Sequence, residues 1–415
     1  MSTTERNMST EENSRTPQLR FPGFRGEWKE QPLSNFLFEH KTKSDGKCEV
    51  HSVSVTKGVV NQVAYLGRSY AAKDTSKYNL AKPNDIIYTK SPTGDFPYGI
   101  VKQNKNPYNV IVSPLYAVYS PTNKYIGYIL DSYFESPVNT NNYLSSLVQK
   151  GAKNTIQISN DTFISKSVCL PTDPVEQQKI ADCLSELDAL ITAQGQKVEA
   201  LKEKKKGLLQ QMFPQNGETI PRLRFPGFTG EWKERKLGES FDERIERNRE
   251  DLPLLSLGEN GLAYQRDTAR KDNSNKDKSK YLRVVPGDIA YNTMRMWQGR
   301  CVCVNIEGIV SPAYTVCKPK KGIDSLFHYY LFKTYRMIQI FHQHSQGLVS
   351  DTLNLKYEAF SNISYMLPPS LTEQQEIAEC LSALDDRIST ETARLDALKG
   401  HKKGLMQKLF PELSK

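Results

Sequence analysis

The feature that most constrains this chain is a long apolar repeat that occurs twice. From Ile180 onward, apolar residues recur at alternating steps of four and three, and the same pattern starts again at Ile377. Such spacing is typical of a helix that pairs with another in a coiled coil. Lys205 and Lys402 interrupt the two patterns at equivalent places. We therefore predict two long helices that are copies of each other.

The starts of the two helices are also copied. Asp173 is followed three residues later by Glu176, and Ser370 is followed three residues later by Glu373. An N-cap acceptor followed by a carboxylate at this spacing is typical of a capping box, in which each side chain hydrogen-bonds the backbone of the other residue. Each predicted helix holds roughly 38 residues and extends about 57 Å.

A second duplicated segment precedes each variable region of the chain. Residues 19–33 and 223–237 share the pattern Leu-Arg-Phe-Pro-Gly-Phe-x-Gly-Glu-Trp-Lys-Glu-x-x-Leu. The Pro-Gly pair predicts a turn, and aromatic side chains such as Trp28 and Trp232 need burial to justify their ordering. We interpret this segment as a structural turn at a domain entrance, in preference to a direct ligand contact.

The two regions between entrance and helix, 35–168 and 240–366, differ in sequence but share a landmark. Pro-Asn-Asp-Ile at 83–86 matches Pro-Gly-Asp-Ile at 286–289. Both regions have the short apolar runs and turn residues of mixed α and β domains. Strands are predicted at 51–56, 86–90, 98–102, 110–118, 156–158, 252–257, 288–292, 300–304 and 309–316.

The chain therefore contains two copies of one unit, each consisting of an entrance, a variable domain and a long helix. Two duplicated helices can pack antiparallel and give the chain an approximate two-fold axis. The predicted fold class is α+β, with two mixed α/β domains alternating with two long helices that pair as an antiparallel coiled coil, in an internal pseudo-two-fold repeat. Two unlike domains on such a frame suit two unlike half-sites on a duplex. The predicted segments are a disordered tail 1–18, a first variable domain 19–169, a central helix 170–214, a linker 215–222, a second variable domain 223–366 and a C-terminal helix 367–415.

Charge and composition indicate which kind of partner the chain binds and in which compartment it works. A formal net charge of +9 mildly favours a polyanionic partner. The sequence has no apolar run of about eighteen residues, the length of a membrane helix, and its polar start lacks the apolar segment of a signal peptide. We therefore expect a cytoplasmic protein that does not enter a membrane. The seven cysteines are scattered, which predicts reduced thiols rather than a disulfide or metal framework.

Taken together, these features resemble the specificity subunits (HsdS) of type I restriction-modification systems. The resemblance covers residues 19–411 and rests on the duplicated entrances, the alternating domains and the helix starts Glu-Gln-Gln-Lys-Ile at 176–180 and Glu-Gln-Gln-Glu-Ile at 373–377. It implies that each variable domain is a target recognition domain that reads one half of a bipartite sequence in double-stranded DNA. It also implies that the helices fix the gap between the halves, that two methyltransferase subunits dock around them, and that motor-nuclease subunits complete the restriction complex. In that arrangement the chain itself catalyses nothing.

The chain also lacks the sequence signatures of catalysis. The segment 106–108, Asn-Pro-Tyr, is one proline short of the Asn-Pro-Pro-Tyr loop of adenine methyltransferases, and no Gly-x-x-x-x-Gly-Lys phosphate loop is present. His342 and His344 have no third ligand nearby in the sequence and are expected on the surface. We predict no catalytic residue, no metal and no cofactor. The alternative that stays open is a non-enzymatic coiled-coil scaffold that binds protein or glycan through two β-rich domains.

Base reading needs bidentate or planar donors, and positioning on DNA needs cations near phosphates. The strongest candidate is the stretch 292–300 of the second domain, which combines amide, guanidinium and aromatic groups, whereas the aligned stretch 89–96 of the first domain differs in chemistry. For each residue, phosphate contact or mere solubility stays open as an alternative. The predicted DNA-binding residues of the first domain are Lys57, Asn61, Gln62, Tyr65, Arg68, Tyr70, Lys90, Ser91 and Thr93. Those of the second domain are Tyr264, Gln265, Arg266, Arg270, Asn292, Thr293, Arg295, Trp297, Gln298 and Arg300.

Overall fold

The computed structural model describes residues 16–150, 156–258, 261–268, 271–272, 274–349 and 352–411. The chain divides into two compact units, one comprising Met1–Gln194 with Arg394–Lys415 and the other comprising Gly195–Ala393. Both units share the two long helices, Pro174–Gln211 and Leu371–Leu409. One half of each helix belongs to the first unit and the other half to the second. Each unit therefore combines one variable domain with two helix halves.

The first unit is built around a four-stranded antiparallel sheet. Its strands are β1 (Lys29–Pro32), β2 (Leu37–Glu39), β3 (His51–Ser54), β4 (Gly58–Asn61), β5 (Asn79–Ala81), β6 (Ile86–Tyr88), β7 (Val101–Gln103), β8 (Val110–Val112), β9 (Ala117–Pro121), β10 (Gln149–Lys150), β11 (Ile156–Gln157) and β12 (Ser167–Leu170). The sheet has the order β2-β9-β6-β7, and the strand pairs β1-β12, β3-β4, β5-β8 and β10-β11 surround it.

The helices of the first unit cover this sheet and lead into the long helix. Their bounds are α1 (Gln62–Leu66), α2 (Lys124–Glu135), α3 (Pro137–Ser145), α4 (Asn160–Ser165) and α5 (Pro174–Gln211). Helix α2 begins after Asn123, whose side chain accepts hydrogen bonds from the amides of Tyr125 and Ile126. In the core, the stacked rings of Tyr88 and Phe163 lie 4.5 Å apart and join sheet to helix.

The second unit repeats this arrangement. Its strands are β13 (Lys233–Lys236), β14 (Phe241–Glu243), β15 (Leu255–Gly258), β16 (Gly261–Tyr264), β17 (Leu282–Val284), β18 (Ile289–Asn292), β19 (Cys301–Cys303), β20 (Gly308–Val310), β21 (Tyr314–Pro319) and β22 (Ser364–Leu367). Its helices are α6 (Leu237–Ser240), α7 (Ser325–Leu331), α8 (Tyr335–His344), α9 (Tyr357–Ser361) and α10 (Leu371–Leu409). The sheet has the order β14-β21-β18-β19, which matches the first sheet strand for strand. The predicted internal repeat and α+β class are confirmed.

The helix halves pair antiparallel inside each unit. In the first unit, Lys402 of α10 contacts Asp188 of α5 at 2.7 Å, while Leu409 packs in the same core cluster as Ile180 and Leu184. As residue numbers fall along α5, they rise along α10, which defines an antiparallel pair. The predicted antiparallel pairing of the two long helices is confirmed by the halves that meet in each unit.

Some sequence predictions of secondary structure were wrong in detail. The runs 110–118 and 309–316 were predicted as single strands, but each is divided by a Ser-Pro turn, in which Tyr116 donates to the Ser113 carbonyl and Tyr314 to the Ser311 carbonyl, both at 3.0 Å. Helices α2, α3, α7 and α8 lie in stretches of these mixed α/β regions where no individual element was predicted. Their aromatic and β-branched residues resemble strand composition when no tertiary context is available.

The predicted division into six segments stays a prediction, although individual bounds can be stated. The long helices begin at Pro174 and Leu371, after the strands β12 and β22 that end at Leu170 and Leu367. Most of the predicted disordered tail lies outside the described residues. Of the part that is described, Pro17 is buried, and the following Leu19 amide donates to the Lys408 carbonyl at 3.0 Å.

Candidate nucleic-acid interface

The entrance segment of each unit is fastened to the start of a long helix by one buried carboxylate. In the first unit, Arg20 donates to both carboxylate oxygens of Glu176, from Nε at 2.6 Å and from Nη2 at 2.9 Å, and Trp28 Nε1 donates to Oε2 at 3.3 Å. The Glu176 side chain is 2% exposed. This bidentate pair explains why Arg, Trp and Glu recur together in the sequence.

The second unit has the same arrangement with Arg224, Trp232 and Glu373. Arg224 binds the Glu373 carboxylate at 2.7 and 2.8 Å, and Trp232 Nε1 donates to Oε1 at 3.1 Å. We call each set of three residues an entrance clamp. The prediction that the entrance is a structural turn with a buried tryptophan agrees with this geometry, since Trp28 and Trp232 are 3% and 2% exposed.

The predicted capping box is half right. Asp173 Oδ1 accepts a hydrogen bond from the Val175 amide at 2.7 Å, so it caps α5 as expected. Glu176 and Glu373 do not reach back to the cap, because both carboxylate oxygens of each bind the entrance clamp. The sequence pattern was recognised correctly, but the carboxylate serves a long-range contact.

The lysines that interrupt the apolar seams belong to a duplicated polar network. Lys205 Nζ lies 2.5 Å from Asp385 Oδ1, and Tyr330 donates to the other oxygen of that carboxylate at 2.9 Å. In the first unit, Lys402 contacts Asp188, and Tyr128 donates to Asp188 at 2.5 Å. A buried polar contact in an apolar seam fixes the register of paired helices.

A buried aspartate holds the turn that leads into the central strand of each sheet. Asp85 accepts from the Lys82 amide at 2.6 Å and contacts His40 Nε2 at 2.8 Å. In the second unit, Asp288 accepts from the Val285 amide at 3.0 Å and pairs with Arg244 at 2.8 Å. These turns explain the Asp-Ile landmark of both domains. They fix one end of β6 and of β18, whose other ends carry the candidate reading turns.

The reading turn of the second unit, defined as residues 292–300, connects β18 to β19. Asn292 Oδ1 accepts from the Met294 amide at 2.9 Å and the Thr293 hydroxyl donates to the Ala313 carbonyl at 3.1 Å, so both residues shape the turn. Trp297 is half-buried and donates from Nε1 to the Met294 carbonyl at 3.0 Å. Asn292 and Thr293 therefore have a structural role, in addition to any contact with a ligand.

Three predicted residues of the reading turn project into solvent. Arg295, Gln298 and Arg300 are exposed, and within the described residues their side chains form no hydrogen bond or ion pair. Gly299 makes the turn possible, because it has a φ of 71° and lies close to Ile338 of α8. Two guanidinium groups and one amide are therefore presented together on a turn with defined geometry.

The matching turn of the first unit connects β6 to β7 and has different chemistry. Ser91 and Thr93 are exposed, and the Thr93 amide and carbonyl pair with those of Phe96 at 3.0 and 2.9 Å. Lys90 has a φ of 59° and is half-buried, with its ammonium hydrogen-bonded to the Asn160 side chain. Burial lowers the pKa of Lys90. Its ammonium donates to Asn160, and the assignment of Lys90 as a DNA contact stays a prediction.

The hairpin β3-β4 and helix α1 hold the other predicted residues of the first unit. Asn61 caps α1 and donates to Glu49 at 2.7 Å, and Gln62 accepts from the Tyr70 amide at 2.7 Å. Both therefore hold the loop in shape. Four further predicted residues are exposed, and among them the Arg68 guanidinium lies 4.6 Å from the Tyr70 ring centre. These exposed residues are Lys57, Tyr65, Arg68 and Tyr70.

The corresponding hairpin of the second unit is β15-β16, which packs against β19 after the reading turn. Tyr264 is half-buried and packs against a core cluster that includes Val302 of β19, while the exposed Arg266 guanidinium lies 5.2 Å from the Tyr264 ring centre. The Gln265 amide donates to the Leu254 carbonyl at 3.0 Å. Arg270 lies outside the described residues. The hairpin and the reading turn thus meet at β19.

Sequence reasoning missed the surface at the end of α8. His342 is exposed and its ring lies 5.9 Å from that of Trp297, so α8 borders the reading turn. A Leu-Val pair in a polar loop after α8 was the available signal.

In the part of the chain that the structure describes, no group of three or more His, Cys, Asp or Glu side chains could hold a metal ion. Nor is any described helix long and apolar enough to cross a membrane.

The repeated architecture corresponds to a repeated match with a known protein family. The family model of the type I restriction modification DNA specificity domain matches residues 36–203 and again residues 230–400. The chain belongs to this family. In this specificity-domain protein, each match covers one variable domain and most of the long helix that follows it.

Two individual proteins illustrate the relationship. The type I restriction enzyme MjaVIII specificity subunit of Methanocaldococcus jannaschii is 31% identical to this specificity-domain protein over 139 residues, which is 32% of either chain. The alignment therefore spans about a third of that curated relative. The crystal structure of a type I restriction-modification S subunit from M. genitalium has a TM-score of 0.60 and 14% identity, and the match covers 96% of this chain and 100% of that one. At this identity, the structural likeness concerns the fold alone.

Proposed function

We propose that this chain is the DNA specificity subunit of a type I restriction-modification complex. Each unit reads one half of a bipartite target in double-stranded DNA, and the paired helices set the gap between the halves. Two methyltransferase subunits dock on the chain, motor-nuclease subunits complete the complex, and the chain itself catalyses no reaction. A protein with this function works in the cytoplasm, beside the DNA.

One observation carries this proposal: the same frame presents different chemistry at the same place. Both reading turns follow the central strand of a sheet with the same order. The turn of the second unit presents Arg295, Gln298 and Arg300, whereas that of the first presents Ser91 and Thr93. A frame that stays constant while its contact residues differ suits two half-sites of different sequence. Family membership supports the same conclusion.

The chemistry of the exposed side chains supports direct base reading in the second unit. Guanidinium groups donate two parallel hydrogen bonds to guanine O6 and N7, whereas a glutamine amide donates to adenine N7 and accepts from the adenine N6 amino group. The first unit presents hydroxyl groups at its turn and Arg68 beside Tyr70 on its hairpin. Hydroxyl groups contact several bases, and cations such as Lys57 neutralise phosphates.

The proposal is tested by selection of DNA duplexes from a random pool, with the full chain alone and with its methyltransferase partner. We expect enrichment of a two-part sequence with an unspecified gap. Binding to the enriched duplex should weaken steeply with added salt, because phosphate contacts release counterions. No enrichment, together with salt-independent binding to a protein or glycan, would favour the coiled-coil scaffold instead.

A further inference from the structure

A loop between α8 and α9 of the second unit exposes an apolar tip. Gln346 and Asn354 pair at its base, where the backbone hydrogen bonds in both directions measure 2.9 Å. At the tip, Leu348 is fully exposed at 101% and Val349 is 61% exposed. Exposing a leucine side chain forgoes the hydrophobic stabilisation that its burial would give, so an apolar tip on a polar loop points to a function.

Hydrogen bonds hold this tip in place in the free protein. The Thr352 amide donates to the Val349 carbonyl at 2.9 Å, and the Val349 amide donates to the Thr352 hydroxyl at 3.2 Å. Gly347 has a φ of 151°, and a Cβ there would lie 2.6 Å from the Thr352 carbonyl oxygen. Only glycine fits this close approach. Among the described residues, these contacts tie Gly347 and Val349 to Thr352 across the loop.

The loop adjoins the reading turn. Just past the base of the loop, the Leu355 amide donates to the carbonyl of Thr293 at 2.9 Å. On the helical side, the rings of Trp297 and His342 are in edge contact at 5.9 Å. The reading turn, the end of α8 and the base of the loop are thus connected by direct contacts. The contact shown between loop and turn is therefore at Thr293, two residues before Arg295.

Charge shows which kind of ligand this surface accepts. No aspartate or glutamate occurs in residues 289–306, which contain the reading turn, or in residues 325–349, which contain α7, α8 and the tip. Asp351, in the same loop, lies outside the described residues. These two stretches combine cations, amides and imidazoles without acidic residues, a composition typical of a surface that meets a polyanion. DNA is the occupant that satisfies both this charge pattern and the apolar tip, because its stacked bases offer an apolar interior.

We propose, on the basis of the function proposed above, that Leu348 and Val349 form a wedge that inserts into the DNA duplex. The wedge enters at a base step next to the bases read by the turn 292–300 and partly unstacks that step. Proteins that bend DNA use apolar side chains in this way, and the cost of unstacking is offset by additional contact area. An unstacked step beside the half-site would also lower the cost of extruding a neighbouring base for methylation.

We propose the wedge for the second unit alone. In the first unit, the residues between β10 and β11 read Gly-Ala-Lys-Asn-Thr at 151–155 and lie outside the described residues. This sequence contains no large apolar side chain. We therefore expect distortion of one half-site only, which makes the other half-site an internal control.

The test uses the duplex enriched by selection, with 2-aminopurine placed at successive steps of both half-sites. The fluorescence of 2-aminopurine rises when the base unstacks. We expect the wild-type chain to raise it several-fold at one step of one half-site. Leu348→Ser should abolish that rise and weaken binding about tenfold, whereas Leu348→Met, which keeps the apolar volume, should preserve both signals. Thermal unfolding of both variants should match wild type, because Leu348 is fully exposed.

Val138→Ser is the matched control, since Val138 is 66% exposed on α3 and lies in the other unit. It should leave affinity and fluorescence unchanged. The wedge is refuted if Leu348→Ser binds and unstacks the duplex like wild type, or if no step responds to a wild-type chain that prefers the selected duplex. A wild-type chain without any preference for the selected duplex over a scrambled one would refute the proposed function itself, and the wedge with it.

Discussion

At the scale of single residues, the arginines of the second unit fall into two groups. Arg224, Arg244 and Arg283 each bind a carboxylate at 2.8 Å or less. Arg295 and Arg300, by contrast, have no side-chain hydrogen bond or ion pair among the described residues. An unpaired guanidinium keeps its five donors available for a ligand. This difference separates arginines that stabilise the fold from arginines that we propose for base reading.

Replacing Arg295 with alanine should weaken binding to the selected duplex by about 1–3 kcal/mol and relax the preference at one base position. The reason is the loss of a bidentate contact to guanine. Titration of variant duplexes, one base changed at a time, measures both effects. Arg222→Ala, which removes an arginine paired with Glu218 at 2.9 Å in the linker, should change neither. Unchanged affinity and base preference for Arg295→Ala would exclude it from base reading.

His328 is buried in the second unit and is held as a neutral side chain. Its Nδ1 lies 2.7 Å from the Asp324 carbonyl, and its Nε2 lies 2.9 Å from the Tyr365 hydroxyl. Nδ1 therefore carries the proton and donates, while Nε2 accepts from Tyr365. Burial lowers the pKa of His328 from 6.5 to about 4, although the hydrogen bond to Asp324 opposes this shift.

This burial predicts a loss of stability in acid. Between pH 6.5 and about 4, the unfolded chain binds a proton at His328 while the folded chain does not, so unfolding becomes more favourable as pH falls. The expected loss is about 3 kcal/mol. Urea unfolding of the full chain at pH 7.5 and pH 4.5 should show a smaller pH dependence for His328→Gln than for wild type. His401→Gln, at an exposed position, should retain the wild-type pH dependence. If all three proteins lost the same stability between pH 7.5 and pH 4.5, the role of His328 in acid destabilisation would be contradicted.

Several candidate contacts could not be judged from the sequence. Asn61 and Gln62 have the chemistry of base readers, but the structure uses them to cap α1 and to hold the Tyr70 amide. Lys90 has the charge of a phosphate contact, but its ammonium binds Asn160, seventy positions further along. Residue type predicts what a side chain can bind. Only the fold decides whether that capacity is already used inside the protein.

At the scale of elements, the entrance clamp joins the start of each variable domain to the start of its long helix. Glu373 is 1% exposed at its side chain and accepts hydrogen bonds from Arg224 and Trp232. Next to it, Gln374 Oε1 accepts from the Asp324 amide at 3.0 Å and so binds the start of α7 to the same helix. The repeated Glu-Gln pair thus has a structural explanation in both units.

Removing the Glu373 carboxylate should strongly destabilise the second unit. Glu373→Ala leaves a largely buried guanidinium and an indole N–H without their acceptor, which costs about 3–5 kcal/mol. Denaturant unfolding of the full chain measures the loss. Glu379→Ala, an exposed position two turns further along α10, should change stability by less than about 0.5 kcal/mol. A similar small change for Glu373→Ala would show that the clamp contributes little.

The long helices were the most predictable elements, because an apolar pattern over about ten turns has few alternatives. The capping box was predicted only in part, since the partner of Glu176 lies 156 positions away in Arg20. The acidic partners of Lys205 and Lys402 could not be identified, because the register of two helices is not visible in either sequence. Short helices such as α2 were missed, since their composition matches that of strands.

At the scale of the whole molecule, duplication provides two similar frames for two different contact surfaces. The sheets have the same strand order, and the clamps, polar networks and landmark turns recur in both units. The exposed side chains of the two reading turns, by contrast, differ. This distribution is expected of a chain whose repeated parts meet repeated partners and whose unlike parts meet an asymmetric target.

The central claim is that this chain directs methylation to a bipartite DNA sequence. The most direct test is methylome sequencing of cells that express the chain with its methyltransferase partner, compared with cells that express the partner alone. The account predicts a new methyladenine motif with two unlike halves and a fixed, unspecified gap. Expression and co-purification of both proteins without any new motif would contradict it, because the chain would then assemble without directing modification.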